Sequence, residues 1–383
     1  MENKKNVIVL GNDHTNTTGV VQCMGRAGYD VTAVVWGLKT GLVKSSRYCK
    51  HLFAAATPQA CIEIICEKLC DGQKAIIPCC DDAAIVLEQN KSKLGNNFHY
   101  GYTEGELTIE ELCEKDRQVK IAIEAGFNTP WSSRPIESIN DLPEDIVFPC
   151  VTKSLMSCKG SKNDLIIVRN KTDLSVRVQE LLTHTQRIIL QQYIEHDYEI
   201  CIMGCGLKNG DVLIPVIEFK LTQYPKNVGM VCLAKVQALE DDSIIEPIKN
   251  LIKRIRYVGL FSVELMHSKI DGKNYFTEIN LRNDGGNSFV NKYGINLPLN
   301  YVEDLFEQPL TNFTNFHPGF YIWEMHHTLS MLHREISIKQ WIKELQLSKG
   351  FLTYYPEDKK PFYKQYINWL FQKLHLQKNE RYR

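Results

Sequence analysis

The stretch that begins at Val258, VGLFSVELMHSKIDGKNYFTEINLRNDGGNS, constrains the fold of this chain more than any other part of it. Two runs rich in β-branched and aromatic residues, 260–266 and 274–281, flank an Asp271-Gly272 pair. This pattern is typical of a β-hairpin. The sequence therefore predicts a three-residue loop centred on Asp271, in which Gly272 supplies the positive φ angle.

The polar face of the predicted hairpin carries an oxygen-rich set of side chains. The loop length places Glu264 directly across from Glu278, and the period of a strand brings Asn280 and Arg282 to the same face. Two adjacent carboxylates repel each other, but the same oxygens bind Mg²⁺ that is completed by phosphates and water. Arg282 suits a phosphate or carboxylate that reaches that metal. The alternative is a hairpin with one solvated face; the pairing of Glu264 with Glu278, and the Asn-Asp-Gly-Gly-Asn sequence that follows, favour the metal site.

Length and charge restrict the class of protein. A chain of 383 residues predicts two or three domains. Lys and Arg number 45 and equal Asp and Glu at 45, so no overall field recruits nucleic acid or an anionic membrane. The N-terminus is not typical of a signal peptide, and no apolar run is long enough to span a membrane. We expect a cytoplasmic protein with small-molecule substrates, whose 13 cysteines are mostly small core residues.

The first part of the chain, residues 7–110, alternates strand and helix patterns. Strands are predicted at 7–10, 31–36 and 75–78, and helices at 19–28, 61–70 and 82–89, the last capped by Asp81 or Asp82. This rhythm predicts an open parallel sheet with right-handed crossovers. The sequence GNDHTNTTG after the first strand is not a dinucleotide-binding motif; a tight turn is favoured there over a helix N-terminus that receives a substrate carboxylate.

The rest of the chain alternates in the same coarse way. A periodic helix at 110–125 ends at a C-cap Gly126, and residues 131–145 resemble a linker. Further strands are predicted at 147–153, 165–168, 188–194, 198–203 and 212–220, and further helices at 173–182 and 244–258. From residue 315 the chain is mainly helical, basic and aromatic, and we expect this region to pack on the body of the protein rather than on a membrane or partner.

Several basic and polar groups precede the hairpin in the chain. Lys115 opens the helix that ends at Gly126, and Lys153 ends a strand. The loop 157–162 offers backbone N–H groups and two ammonium groups, which suit phosphates. Glu199 follows the strand that ends at 191–194. Lysines, a basic loop and a downstream carboxylate pair together indicate a phosphate-bearing ligand.

The residues that carry a resemblance to a known family are, in chain order, VIVLGNDHTNTTG, SSRY, IIPCCDD, EKDRQVKIAIEAGFNTP, FPCVTKS, QQYIEHDYEICIMG, FKLTQYPKNVG, GLFSVEL and FTEINLRNDGG. On these motifs the chain resembles the ATP-grasp superfamily from about residue 112 to residue 288. The resemblance is greatest to carboxylate–amine ligases such as D-aspartate ligase and to carbamoyl-phosphate-synthase-like enzymes. The last two blocks, at their mutual spacing, are the most specific.

The resemblance implies an α/β and α+β architecture, the ATP-grasp fold. It implies an N-terminal open parallel α/β (pre-ATP-grasp) domain at 1–110 and an ATP-grasp domain at 111–310. Within the latter, we expect a lid at about 147–192 and a core at 193–310. A mainly helical C-terminal appendage would follow at 311–383.

The resemblance also implies roles for individual residues. Those expected at the nucleotide are Lys115 and Lys153 on the α- and β-phosphates, Lys159 in the loop over them, Gln192, Tyr193 and Ile194 at adenine, Met266 beneath the ring, and Glu199 at the ribose. Those expected at the reaction centre are Glu264, Glu278 and Asn280 as ligands of two Mg²⁺ ions, Arg282 at the phosphoryl group and acyl intermediate, and Lys220 and Tyr224 as contacts for phosphate or carboxylate. Gln191 or Gln192 stands where many members carry an acidic residue.

The function implied by this resemblance is an ATP- and Mg²⁺-dependent ligase, in which Mn²⁺ can substitute. It would join a small carboxylate, such as an amino acid, to an amine through an acyl phosphate. Related enzymes commonly dimerise, so the resemblance allows a homodimer, although the sequence alone does not show one. Two alternatives stay open: a carbamoyl-phosphate-type enzyme that activates bicarbonate, and a non-catalytic nucleotide-binding scaffold. The metal carboxylates argue against the scaffold, because a scaffold does not need them.

Overall fold

A computed structural model describes residues 6–155, 166–183, 185–226 and 229–373 of the chain. Within those ranges the strands form three sheets, of five, three and eight strands. Gly126, with a φ of 100°, is the C-cap residue of the helix that ends at Ala125, as predicted.

The N-terminal part forms the five-stranded sheet, in the order β3-β2-β1-β4-β5 with every neighbouring pair parallel. Its strands are β1 (Asn6–Asn12), β2 (Asp30–Trp36), β3 (Cys49–Ala55), β4 (Lys74–Pro78) and β5 (Phe98–His99). The helices of this part are α1 (Thr15–Arg26), α2 (Leu42–Ser45), α3 (Pro58–Lys68), α4 (Asp81–Gln89) and α5 (Lys91–Leu94). The predicted open parallel sheet is confirmed, and β3 is an additional edge strand.

The predicted cap of α4 is wrong. Cys80 is the N-cap residue, and Asp81 and Asp82 both lie in the first turn. The Asp81 carboxylate faces another partner, since its Oδ1 lies 3.4 Å from Nε of Arg282. A negative charge in the first turn still favours the helix through its dipole.

The helix predicted at 110–125 is two helices, α6 (Ile109–Leu112) and α7 (Lys115–Ala125). The N-terminus of α6 is stabilised by a capping box between Thr108 and Glu111. The second begins at Lys115, as the sequence indicated. A short strand, β6 (Tyr102–Thr103), precedes them.

The three-stranded antiparallel sheet has the order β8-β7-β9 and is covered by one helix. Its elements are β7 (Cys150–Ser154), β8 (Ile166–Val168), α8 (Lys171–Leu181) and β9 (Ile188–Gln192). Leu174, Val178 and Leu181 of α8 pack in one apolar cluster with residues of this sheet. The predicted phosphate loop at 157–162, including Lys159, lies outside the described residues.

The eight-stranded sheet has the order β14-β13-β10-β11-β12-β15-β16, with β6 paired to β13 off this path. Its further elements are β10 (His196–Gly206), β11 (Val212–Tyr224), β12 (Met230–Ala238), α9 (Asp242–Arg254), β13 (Tyr257–Ser268), β14 (Asn274–Asn280), α10 (Asn287–Lys292), α11 (Leu297–Leu305), β15 (Gly319–Ile322), α12 (Glu324–Leu332), α13 (Ile338–Leu347), β16 (Gly350–Phe351) and α14 (Lys360–Lys373). The C-terminal part is mainly helical, as expected, and β15 joins it to the sheet. None of the described helices is long and apolar enough to cross a membrane.

The hairpin of β13 and β14 pairs Glu264 with Glu278, as predicted. The predicted three-residue loop is wrong: Ser268 N donates to Lys273 O, which leaves a four-residue loop. A β-bulge next to Glu264 restores the pairing, because Leu265 pairs with Phe276 and Thr277 is the extra residue. Gly272 has a φ of 68°, as expected for the turn.

Tyr257 fixes the start of β13 against the end of β14. Its buried hydroxyl donates to Leu281 O at 2.9 Å and lies 3.0 Å from Leu260 O. Leu281 directly precedes Arg282, so this hydrogen bond helps to fix the position of the Arg282 backbone.

We expect Tyr257→Phe to lower the free energy of unfolding by about 1–2 kcal/mol, because a buried hydrogen bond is lost without a change in packing. Urea denaturation measures this value. Tyr363→Phe, at an exposed position of α14, is the matched control and should change little. Equal stability of the two variants would contradict the role given to Tyr257.

Candidate active site

One cavity of about 550 Å³ gathers most of the predicted site residues. Its lining includes Lys115, Lys153, Gln192, Tyr193, Ile194, Glu199, Lys220, Glu264, Met266, Glu278 and Arg282. Among the described candidates, Asn280 and Tyr224 lie outside this lining. The cavity is bounded by the ends of β1 and β4, by β7 and β9, and by one face of the eight-stranded sheet.

The strand register orders these side chains into rows across the sheet. One row contains Glu278, Glu264, Cys201 and Glu218, on β14, β13, β10 and β11. We call these four residues the acid row. The neighbouring row contains Met266, Glu199 and Lys220. All seven line the cavity, so the sheet presents three carboxylates of one row to the same space.

Lysines form ion pairs with two carboxylates of the acid row, Glu264 and Glu278. Lys220 Nζ lies 2.7 Å from Glu264 Oε2 and 3.4 Å from Glu199 Oε2, and Lys115 Nζ lies 3.5 Å from Glu278 Oε2. Burial lowers the pKa of Lys220, but Glu264 and Glu199 outweigh burial and hold that pKa well above its usual value. The ammonium group of Lys220 therefore stays charged between two carboxylates.

The two facing carboxylates have opposite pKa shifts. Burial raises the pKa of Glu264, and Glu278 and Glu199 add to the effect while Lys220 opposes it. Burial also acts on Glu278, but its cationic neighbours, led by Lys115, outweigh it and lower its pKa to about 2. Glu278 is therefore the more strongly ionised member of the pair.

The donor set fits Mg²⁺. Two carboxylates lie opposite each other on one wall of a cavity, and oxygen ligands of this kind are what Mg²⁺ takes from proteins. Asn280 is buried in the next row, paired with Ser262, and its Nδ2 donates to Ser262 Oγ at 3.4 Å. The ligand role of Asn280 stays a prediction.

Lys153 is buried against a neutral partner. Its Nζ donates to Oε1 of Gln191 at 2.6 Å. Burial lowers the pKa of Lys153 to about 8, and Lys115 adds to the effect. The carboxamide of Gln191 satisfies a hydrogen bond without neutralising the ammonium, which leaves its charge for an anionic ligand.

The predicted adenine-binding residues lie at the end of β9. The backbone N–H of Gln192 donates to Trp131 O, and that of Tyr193 donates to Pro149 O. These two donors are therefore used within the protein. Ile194 is buried and lines the cavity with Met266. Contacts of this segment with a base stay a prediction.

Arg282 is held by two acidic residues that the sequence analysis did not select. Its Nη1 lies 3.3 Å from Asp284 Oδ2, and its Nε lies 3.4 Å from Asp81 Oδ1. Asp284 is itself fixed, since it accepts hydrogen bonds from Ser262 Oγ at 3.0 Å and from Gly286 N at 2.8 Å. The signal in the sequence was the position of both acids, each three residues after the end of a predicted strand.

Tyr224 and Glu199 both have hydrogen-bond partners within the protein. The Tyr224 hydroxyl contacts Nδ1 of His333, and Tyr224 does not line the cavity. Glu199 accepts a hydrogen bond from Gln223 Nε2 at 2.7 Å. At the start of α1, the His14 side chain accepts from Asn16 N and lines the cavity, so both readings of that turn stay open.

Glu218 is the member of the acid row that sequence reasoning missed. Its side chain is only 3% exposed. Burial raises its pKa to about 7, with smaller effects from Lys220, Tyr321, Asp284 and Glu264. A single acid within the apolar run Val-Ile-Glu-Phe of β11 was the available signal.

Comparison with known proteins gives a consistent result. Residues 123–288 match the ATP-grasp domain. The formate-dependent phosphoribosylglycinamide formyltransferase of Prochlorococcus marinus (strain NATL2A) is 26% identical over 192 residues, 48% of this chain and 46% of that protein. The chain therefore matches about half the length of such relatives.

Two solved structures resemble most of the chain. N5-carboxyaminoimidazole synthetase from Staphylococcus aureus, complexed with ADP, has a TM-score of 0.69 at 15% identity and covers 87% of this chain and 86% of that one. L-amino acid ligase from Bacillus licheniformis has a TM-score of 0.60 at 18% identity and covers 80% and 75%. Together with the match of residues 123–288, these likenesses show that the chain has the ATP-grasp fold.

The raised pKa of Glu218 predicts a pH-dependent stability. Between its ordinary value of 4.5 and about 7 the folded state retains a proton that the unfolded state has released, so this residue makes stability fall as pH rises. Glu218→Gln removes that loss. The stability gained by the variant should be about 3 kcal/mol larger at about pH 8 than at about pH 4.

Urea denaturation of both proteins at the two pH values measures this difference. Glu63→Gln, at an exposed position of α3, is the control and should track the unsubstituted protein. A stability difference between Glu218→Gln and the unsubstituted protein that does not change with pH would show that the Glu218 carboxyl ionises normally.

Proposed function

Because residues 123–288 match the ATP-grasp domain, we propose that this protein is an ATP- and Mg²⁺-dependent ligase that joins a small carboxylate to an amine. The observation that carries the proposal is the pair Glu264 and Glu278, facing each other in one cavity with Arg282 and three lysines. This is the charge distribution that a triphosphate with bound cations requires. An amino acid is the carboxylate we favour.

The reaction needs two steps because a carboxylate is a poor acceptor for an amine. A carboxylate oxygen attacks the γ-phosphorus of ATP, and the bond to the β-phosphate oxygen breaks to give ADP and an acyl phosphate. The amine then forms the C–N bond while phosphate leaves with the electron pair of the C–O bond. The product is an amide.

The residues of the cavity act chiefly by binding and neutralising charge. Lys115 and Lys153 bind phosphate oxygens, and Lys153 is free to do so because Gln191 does not neutralise it. Arg282, oriented by Asp81 and Asp284, neutralises the phosphoryl group and the developing oxyanion. Glu264 and Glu278 would hold Mg²⁺, which would supply further charge neutralisation at the phosphates.

Chemistry named for the relatives supports this proposal. The formyltransferases are formate-dependent, and one related structure is an amino acid ligase. An ADP complex of a protein with the same fold supports ATP as the nucleotide. With equal numbers of acidic and basic residues, we favour small-molecule substrates in the cytoplasm over nucleic acid.

Incubation with ATP, Mg²⁺ and pools of amino acids and amines, followed by mass spectrometry, tests the proposal. We expect ADP release together with a product whose mass is that of both substrates less one water. ADP release that depends on bicarbonate alone would instead support carbamoyl-phosphate-type chemistry. No nucleotide binding and no turnover with any pool would overturn the ligase function.

We expect Glu278→Gln to lower kcat by roughly 100-fold or more, because a metal-binding carboxylate facing the phosphates is removed. Product formation measured by mass spectrometry tests this. Glu246→Gln, on the exposed face of α9, is the control and should retain full activity. Unchanged activity of Glu278→Gln would favour a scaffold in which the carboxylates have no chemical role.

We expect Lys153→Met to weaken ADP binding by roughly tenfold or more, because a charge-assisted hydrogen bond to phosphate is lost. Isothermal titration calorimetry with ADP and Mg²⁺ measures the change. Lys171→Met, exposed at the start of α8, should leave affinity unchanged. Equal affinities of the two variants would remove Lys153 from the nucleotide site.

A further inference from the structure

Glu218 differs from the rest of the acid row in its electrostatic balance. Glu278 and Glu264 each have a lysine within 4 Å. Among the described residues, no lysine, arginine or histidine nitrogen lies within 4.0 Å of the Glu218 carboxylate. A buried carboxylate without a cation is unfavourable in the free protein, so this position is suited to a ligand that brings a positive charge.

The groups around Glu218 leave it facing the cavity. Gly286 lies against it: a Cβ atom there would be 2.8 Å from Glu218 Oε2, so the missing side chain makes room for the carboxylate. Tyr321 on β15 lines the same cavity. Phe289 and Trp323 complete an aromatic lining of this part of the cavity, and such rings bind ammonium groups favourably.

A short chain of contacts connects Glu218 to Arg282. Gly286, against the Glu218 carboxylate, donates its N–H to Asp284 at 2.8 Å, and Asp284 holds Arg282 at 3.3 Å. Glu264 is two strands away from Glu218 in the acid row, which is about 10 Å between Cα atoms. With both side chains extending into the cavity, the space between them accommodates the reacting atoms of a small substrate.

We propose that Glu218 binds the amino group of the acceptor substrate and is the catalytic base that receives the proton of that amine. The inference rests on the ligase function proposed above and names its acceptor: a primary amine that is cationic in solution, with an apolar neighbouring group against the aromatic lining. The cavity thereby has a phosphate and metal end at Glu278 and an amine end at Glu218.

The step balances as follows. The bound ammonium group first passes one proton to the Glu218 carboxylate, which later releases it to solvent. The neutral amine nitrogen then attacks the acyl carbon, the C–N bond forms, and the C–O bond to phosphate breaks with its electron pair on the leaving phosphate. The leaving phosphate takes up the second N–H proton. A base whose pKa is near neutral pH suits this task, and burial raises that of Glu218 to about 7.

Other ionisable groups also face this position. Lys220 on β11, Glu264 on β13, Asp284 after β14 and Tyr321 on β15 all act on the Glu218 carboxyl, and Cys201 lies across from it on β10. The Cys201 thiol stays protonated, because burial holds its pKa well above the usual value. The base form of Glu218 therefore increases as pH rises through about 7, and amide formation should increase with it.

Hydroxylamine separates this role from the ligase function itself. It is largely unprotonated at neutral pH and attacks acyl phosphates without a base, so it reports formation of the acyl phosphate alone. The experiment compares hydroxamate formation from ATP, Mg²⁺ and pooled amino acids with amide formation when pooled primary amines replace hydroxylamine. The proteins compared are the unsubstituted chain, Glu218→Gln, Glu218→Asp and the control Glu63→Gln.

We expect Glu218→Gln to form hydroxamate within twofold of the unsubstituted rate and to form amide roughly 100-fold more slowly. Its amide rate should lose the rise with pH near 7, and Glu218→Asp, which retains a carboxyl group, should recover part of it. Thermal unfolding of each variant verifies folding. Glu63→Gln should match the unsubstituted protein in both reactions.

Three results would overturn the inference, and they are distinguishable. If Glu218→Gln forms amide at the unsubstituted rate, Glu218 is not the base. If it slows hydroxamate and amide formation equally, the residue acts before the amine enters. If the unsubstituted protein forms no hydroxamate with any amino acid, the proposed ligase function fails, and the role of Glu218 fails with it.

Discussion

The facing pair Glu264 and Glu278 imposes a charge balance on the whole site. Two half-buried carboxylates on adjacent strands are unfavourable unless cations compensate them. The cations come from separate parts of the chain: Lys115 begins α7, Lys220 lies on β11 and Arg282 follows β14. The electrostatics of one strand pair thus require three segments to meet, and the cavity lies where they do.

The N-terminal sheet is attached to this centre through the segment that carries Arg282. Asn283 N donates to Pro78 O at 3.0 Å, and Asn16 Nδ2 donates to Asn283 O at 2.9 Å. Asp81, in the first turn of α4, faces the Arg282 guanidinium. The position of the arginine therefore depends on the parallel sheet as much as on the hairpin, which gives the N-terminal part a direct role in the geometry of the site.

Short-range patterns in the sequence were enough to predict part of this arrangement. Alternation and turn chemistry were sufficient for the parallel sheet and for the pairing of Glu264 with Glu278, although the loop length was wrong. The pairing was correct because the bulge at Thr277 compensates for the longer loop. A bulge depends on packing across the sheet, and no short-range pattern reports it.

Sequence reasoning missed Asp81 and Glu218 because their roles depend on residues far away in the chain. Asp81 meets Arg282, and β11 brings Glu218 into the acid row. Neither encounter is visible in spacing along the chain, whereas Asp284, which also meets Arg282, is only two residues after it. Motif positions identified the groups that face phosphate and metal, whereas the groups that orient or complement them required the fold.

The contrast between the two ends of the acid row has a simple physical reason. At the phosphate end the ligand is an anion, so the protein needs surplus positive charge, and a carboxamide at Gln191 provides it by bonding to Lys153 without cancelling its charge. At the other end the incoming group is a cation, and the same argument reverses: a lysine beside Glu218 would compete with the ligand for the carboxylate. Glu264 pairs with Lys220, whereas no lysine in the described part of the chain lies within 4.0 Å of the Glu218 carboxylate, and this difference lets one sheet face bind opposite charges about 10 Å apart.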